Sequence, residues 1–136
     1  MLVASKNENF LDQNIDWEFP IPIAYGPGRL SEIGLFCEQF QISNPLIITD
    51  EGSKNLPFIN RLITLLQKAS IPSKLFFGVS PNPRDDEIMA GCETYRSGKH
   101  DSIIAIGGGS AMDGAKAIGM TVNSGVNLWD FEYRKP

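Results

Sequence analysis

The sequence is poor in what metal sites, disulfide frameworks and nucleic-acid surfaces are made of. With one histidine, His100, it cannot build a multi-histidine metal site within itself. Its two cysteines, Cys37 and Cys92, stand far apart without metal-type spacing, which reads as buried, reduced thiols of a cytosolic protein. Basic residues are in the minority: 12 Lys and Arg against 16 Asp and Glu give a formal charge of −4. No basic stripe gathers along the chain, which argues against a nucleic-acid partner. No apolar run approaches the roughly 18 residues of a membrane-spanning helix. The stretch from Met1 to Asn14 is polar and mildly acidic, unlike a signal peptide or an Arg-rich transit peptide. A cytoplasmic domain with no membrane partner is therefore expected. Its 136 residues are 42% hydrophobic, enough to bury a single core.

The hydrophobic pattern alternates between short apolar runs and helical spacing. Residues up to Pro20 read as an irregular lead-in, and Ile21 to Tyr25 as a short strand whose prolines place it at a sheet edge. Helical spacing follows from Arg29 to Phe40, then an unalternating run, Leu46-Ile47-Ile48-Thr49, of the kind buried on both faces of a parallel sheet. A second helix is predicted over Pro57 to Ala69 and a strand over Lys74 to Phe77, closed by Gly78. The turn Pro81-Asn82-Pro83 leads into a helix from Arg84 to Ser97, ended by Gly98. A strand over Ser102 to Ile106 and a helix from Ser110 to about Val122 complete the pattern. This alternation predicts an α/β fold: an open, mostly parallel sheet with helices on both faces, Rossmann-like in layout. The tail from Asn123 lacks periodicity, and its Trp129, Phe131 and Tyr133 have no obvious core to enter.

The strongest chemical signal is the passage from Ile103-Ile104-Ala105-Ile106 through Gly107-Gly108-Gly109 into Ser110 and the last helix. Three glycines add nothing to packing and cost backbone entropy. They do let the main chain approach a ligand closely, and at a helix N-terminus their N–H groups and the helix dipole favour a phosphate or pyrophosphate. A plain strand-to-helix turn is the alternative, with Ser110 as N-cap, Asp113 as an acid three residues on, and Lys116 pairing with Asp113. Neither the spaced-glycine dinucleotide fingerprint nor a triphosphatase loop fits, since position 112 is Met112 and no Gly-Lys-Ser/Thr follows. Asp50, directly after a buried strand, belongs at the same sheet edge. It can accept bonds from both hydroxyls of a ribose and repel a 2′-phosphate, or it can cap the next helix. Asn82, held between two prolines at that edge, suits adenine or ribose recognition and is equally an ordinary turn residue. Gly26-Pro27-Gly28 reads as a turn, and His100 as a solvated side chain at the opposite edge.

Gly107-Gly108-Gly109-Ser110 with Asp113 and Lys116 resembles the GGGSxxDxxK pattern of the iron-type (group III) alcohol dehydrogenases. Tyr25-Gly26-Pro27-Gly28, Ile47-Ile48-Thr49-Asp50 and Pro81-Asn82-Pro83 match in the same order, so the resemblance covers roughly Phe19 to Asn127. It implies an N-terminal NAD-binding α/β domain over residues 1–136, with a C-terminal helical domain absent from this chain. By the same resemblance Gly108, Gly109 and Ser110 bind the pyrophosphate and Asp50 the adenosine ribose, implying NAD over NADP. Asn82 lies near the adenosine, and Asp113 and Lys116 near the nicotinamide half. The family's Thr-rich motif, its metal-binding Asp and its three His ligands match nothing here. Arg84 stands where many members have Thr.

What the resemblance implies is a parent enzyme that interconverts a primary alcohol and its aldehyde by hydride transfer with NAD. A divalent metal, typically iron, acts there as Lewis acid. This chain would supply the cofactor half, without catalytic or metal residues, and would form a homodimer through its N-terminal region. Two alternatives stand beside it: a relative of the glycerol dehydrogenase and dehydroquinate synthase branches, or a stand-alone nucleotide-binding or oligomerisation module without activity.

Overall fold

A computed structural model describes residues 14–18 and 20–132 of the chain. Its centre is the strand β3, Pro45–Asp50, in which Pro45 to Thr49 are all buried. β4, Lys74–Val79, pairs with it in parallel on one side and β5, Ser102–Ala105, in parallel on the other, giving the order β4-β3-β5. Because side chains alternate along a strand, β3 feeds two cores. Leu46 and Ile48, with Val79, pack on one face against Ile88, Cys92 and Tyr95 of α3 (Asp85–Ser97) and Ala115 and Ile118 of α4 (Gly109–Thr121). Ile47 packs on the other face with Cys37 of α1 (Ile33–Gln39) and Leu62 and Leu66 of α2 (Pro57–Lys68). Each such aliphatic side chain, fully buried, contributes about 1.5–3 kcal/mol, and truncating Ile48 to alanine is expected to cost about 2–5 kcal/mol. The doubly covered parallel sheet matches the predicted fold class. Both cysteines are buried and free, and burial pushes both thiols above their ordinary pKa.

The first predicted strand does not join this sheet. β2, Pro22–Tyr25, pairs antiparallel with β1, Ile15–Glu18, in a separate two-stranded ribbon, so the expected irregular lead-in contains a strand. Pro-Ile-Ala-Tyr is no unbroken apolar run fit for burial on both faces, and all four residues are exposed. A nearby upstream segment can pair through a short turn, whereas parallel pairing needs a long crossover. Arg29 ties the ribbon down: its guanidinium bonds Asp16 of β1 and, at 2.6 Å, Glu32. The 3-10 turn Arg29–Glu32 leads from there into α1.

Two further expectations are corrected. β4 runs through Gly78 to Val79, because the Phe76 ring lies over Gly78, 2.9 Å from where a Cβ would stand. His100 is buried, at 8% exposure, with Nδ1 3.0 Å from the Asn44 carbonyl and its ring beside that of Tyr95. Lys99, at φ 50, turns the chain back beneath α3 and carries His100 inward. In the tail a 3-10 turn forms over Leu128–Phe131, and Trp129 and Phe131 stay exposed, in keeping with the absence of a core for them to enter. Asn127 Oδ1 accepts from Trp129 N at 3.0 Å, Leu128 packs on the α3/α4 core, and Trp129 Nε1 donates to Asp85 Oδ2 at 3.2 Å. Tyr133 lies outside the described residues.

Candidate functional site

Parallel strands end on one edge, so the segments after β3, β4 and β5 meet at the carboxyl side of the sheet, where open α/β sheets bind ligands. β3 is the middle strand, which puts Asp50 between the other two exits. Gly107 brings strand and loop into contact. At φ +139 it adopts a conformation that L side chains rarely take. A Cβ there would stand 3.0 Å from Asp50 Oδ2, 3.0 Å from the Ala111 Cβ and 3.3 Å from Thr49 Oγ1. Gly108 and Gly109 face the other way: a Cβ on either would meet nothing within 4 Å.

α4 begins at Gly109, with Gly108 as its N-cap and no side chain capping it. Ser110 is therefore not the expected N-cap, and Asp113 is not the acid of a capping box. The third glycine is already helical, which moves Ser110 inside the first turn. There its Oγ donates to the carbonyl of Pro81 at 2.8 Å, tying the glycine loop to the Pro-Asn-Pro turn. The first N–H groups of α4 are left pointing off the sheet edge, in the manner of an anion site. Lys116 and Asp113 do pair, at 3.8 Å, both about three-quarters exposed.

The Asp50 carboxylate is half-buried. Its Oδ1 accepts from Ser53 N at 3.0 Å and its Oδ2 from Ser53 Oγ at 2.9 Å. It closes the turn after β3 rather than capping α2, whose N-cap is Leu56. A carboxylate offers about four acceptor positions, so two bonds to Ser53 leave room for two more. Asn82 is exposed, and its carbonyl accepts from Ser80 Oγ at 2.9 Å. Glu87 fastens this turn to α3, accepting from Ser80 N at 3.2 Å and Arg84 N at 3.0 Å. The Arg84 N–H holds Glu87 below the usual carboxylate range. Arg84 thus opens α3 without a Thr hydroxyl, through the side chain three residues on.

Residues 20–136 match the family profile described as iron-containing alcohol dehydrogenase. The chain belongs to the iron-containing alcohol dehydrogenase family. It is 30% identical to a 1,3-propanediol dehydrogenase of Citrobacter freundii over 118 residues, 85% of this chain and 30% of that protein. It is 32% identical to an NADH-dependent butanol dehydrogenase A of Clostridium acetobutylicum, over 86% of this chain and 30% of that one. The fold superposes on a 1,3-propanediol oxidoreductase with a TM-score of 0.75 at 30% identity, covering 78% of this chain and 28% of that chain. It superposes on a sulfoacetaldehyde reductase of Bifidobacterium kashiwanohense, solved in complex with NAD+, with a TM-score of 0.72 at 27% identity, covering 82% and 29%. The chain spans about 30% of the length of these family members.

Of the family pattern's residues, Asp50, Gly108, Gly109, Ser110 and Asn82 lie together at the sheet edge. Asp113 and Lys116 lie further along α4. With Met120, Trp129 and Phe131 they line a separate apolar cleft of about 410 Å³. The open N–H groups, the open faces of Gly108 and Gly109 and a carboxylate with free acceptor positions fit a dinucleotide. A metal is different: no group of three or more His, Cys, Asp or Glu among the described residues could hold one. The described residues do not fit a metal centre. Thr49 and Ser53 also adjoin the site; their signals in the sequence are a lone hydroxyl ending an aliphatic strand and the Asp-x-x-Ser spacing.

Proposed function

We propose that this chain is the NAD(H)-holding part of a metal-dependent alcohol dehydrogenase that interconverts a primary alcohol and its aldehyde by hydride transfer. One observation carries the reading: a half-buried carboxylate with spare acceptor positions touches the bare face of a glycine loop that opens an uncapped helix. In this reading the N–H groups of Gly108, Gly109 and Ser110 receive the pyrophosphate. Asp50 accepts from both adenosine ribose hydroxyls and disfavours the 2′-phosphate of NADP. Asn82 stands beside the adenosine, and Asp113 and Lys116 face the nicotinamide half. The bound cofactor supplies hydride chemistry, while these residues bind and orient it.

The printed names of the relatives, alcohol dehydrogenases that include an NADH-dependent one, support the reaction class. We place the protein in the cytoplasm, which suits its two free buried thiols; no helix among the described residues is long and apolar enough to cross a membrane. The partner surface is assigned to a second copy of the chain. The β1–β2 ribbon and α1 expose Ile21 at 71% and Phe40 at 61% along an apolar groove of about 470 Å³, and a two-stranded ribbon gains stability when covered. The test is titration of the purified chain with NADH and NADPH by nucleotide fluorescence. Binding of NADH in preference to NADPH, without alcohol turnover, is expected, since no described residues gather as a metal site. Absence of binding to either would overturn the assignment.

A further inference from the structure

The Pro81-Asn82-Pro83 turn cannot close on itself through its main chain, because its two prolines have no N–H to donate. Only Ser80, Asn82 and Arg84 offer backbone donors there, and one side chain takes two of them. Glu87 Oε2 accepts from Ser80 N at 3.2 Å and from Arg84 N at 3.0 Å. Ser80 Oγ lies 3.0 Å from the same oxygen and 2.9 Å from the Asn82 carbonyl, and its one proton can serve either. Capping α3 needs only the bond to Arg84 N; the grip on Ser80, at the far end of the turn, does nothing for the helix. The Glu87 side chain is 13% exposed, and withdrawing a charge that far from water costs free energy that these donors must offset. From the opposite side Ser110 Oγ holds the Pro81 carbonyl at 2.8 Å. Between the two anchors the side-chain amide of Asn82 is exposed and bonds no described residue.

We propose that Glu87 is a positioning residue of the nucleotide site. By gripping both ends of the turn it holds the Asn82 amide in place at the carboxyl edge of the sheet, ready for the adenosine. A turn fastened at one end only would present that amide correctly part of the time, and apparent affinity falls with that fraction. The inference rests on the dinucleotide reading and adds to it a carboxylate that the ligand does not touch. A residue that only capped α3 could be an aspartate. Aspartate three residues into a helical turn reaches the N–H behind it, as Asp130 does for Asn127 at 2.9 Å. One methylene shorter than Glu87, it cannot also reach Ser80.

The experiment titrates the full chain with ADP, read by chemical shifts, in wild type, Glu87→Asp, Glu87→Gln, Asn82→Ala and the double variant Glu87→Asp/Asn82→Ala. Thermal unfolding reads the same proteins without ligand. Glu87→Asp keeps the helix cap, so its Tm is expected within about 5 °C of wild type. It should nevertheless weaken ADP about five- to tenfold, the scale of one hydrogen bond. Asn82→Ala should weaken ADP at least as much, and in that background Glu87→Asp should change the affinity less than about twofold. Glu87→Gln keeps an acceptor oxygen of the same reach and should bind within about threefold of wild type. Glu87→Asp or Asn82→Ala binding ADP like wild type would overturn the proposal. An equal loss from Glu87→Asp with and without the Asn82 amide would also overturn it, since Glu87 would then act through something else. So would a larger fall in Tm, by making Glu87 a fold residue. If wild type does not bind ADP, the dinucleotide reading itself fails; if wild type binds and Glu87→Asp matches it, only the role of Glu87 falls.

Discussion

Replacing the loop glycines by alanine one at a time separates the part of the loop that serves the fold from the part that serves a ligand. Gly107 is at φ +139, and a Cβ there would press on Asp50 Oδ2 and Ala111 at 3.0 Å each. A non-glycine residue forced into such a conformation costs about 1–3 kcal/mol. Moving Asp50 off its two bonds to Ser53 loses charge-assisted hydrogen bonding of about 1.5–3 kcal/mol. Gly107→Ala should therefore cost about 3–5 kcal/mol, or about 10–15 °C in Tm for a chain of this length. Gly108 has φ −86 and open space around it, so Gly108→Ala should leave stability within about 0.5 kcal/mol. Gly109 is the first residue of α4, and alanine there should be neutral or stabilising by up to about 1 kcal/mol.

Nucleotide binding should follow a different order. A methyl group on residue 108 or 109 stands in the open space through which a phosphate must reach the N–H groups. Losing one or two charge-assisted bonds there corresponds to about tenfold to several hundredfold in Kd. Thermal unfolding by circular dichroism and NADH titration, on the same preparations, read the two effects separately. The two stable variants, Gly108→Ala and Gly109→Ala, should be the poor binders. If both bind NADH like wild type, the loop is only a turn; if Gly107→Ala is as stable as wild type, the close approach of Asp50 is wrong.

Asp50→Gly should relax the preference for NAD over NADP by tenfold or more, since about two charged-group bonds to ribose and the repulsion of a 2′-phosphate go together; an unchanged ratio of the two affinities would leave Asp50 as a turn residue alone. Asp101 governs the opposite edge of the sheet. Burial pushes its carboxyl up, but hydrogen bonds from Ser43 Oγ, Ser102 Oγ, Ser43 N and Asn44 N outweigh this and hold it well below the usual carboxylate range. A lowered folded-state pKa contributes stability above the unfolded value near 3.9, and the contribution fades as pH falls below about 4. Asp101→Asn should thus cost about 1–2 kcal/mol at pH 7, a figure reduced for the residue's exposure, and the gap to wild type in urea midpoint should narrow at pH 3. Gly109→Asp should abolish nucleotide binding by placing a charge at the pyrophosphate position, yet leave self-association through the β1–β2 face intact; a monomer by light scattering at high concentration would sink the partner assignment.

The parts of the fold legible in the sequence are those where a local pattern and the global burial agree. Leu46-Ile47-Ile48-Thr49 reads as a doubly buried strand because the run is short, rich in β-branched residues and preceded by Asn44-Pro45, and α2 and α3 show their buried faces at helical spacing. Of the β1–β2 ribbon only β2 is legible: all four of its residues are exposed, so no burial period reveals a partner, and the pairing with β1 is short-range. The burial of His100 is not legible, because it depends on contacts distant in sequence, such as the Asn44 carbonyl at its Nδ1, which local pattern does not reveal.

The residues of the candidate site gather at one edge of the sheet, as their types and positions predict, but several of their bonds do not follow from spacing. Asp50 does not cap the next helix but closes a turn through Ser53, which uses only part of its acceptor capacity. Ser110 holds the Pro81 carbonyl, a partner 29 residues away, because the N-cap of α4 is Gly108, two residues before the polar side chain. That displacement explains the arrangement as a whole. With Gly108 as N-cap, no side chain competes for the first N–H groups of α4. Thr49 and Asp50 can then bear on the loop only from β3, the strand whose first five residues are all buried. A binding loop backed by the most buried strand of the sheet keeps its shape without a ligand, and such preorganisation lowers the cost of binding one.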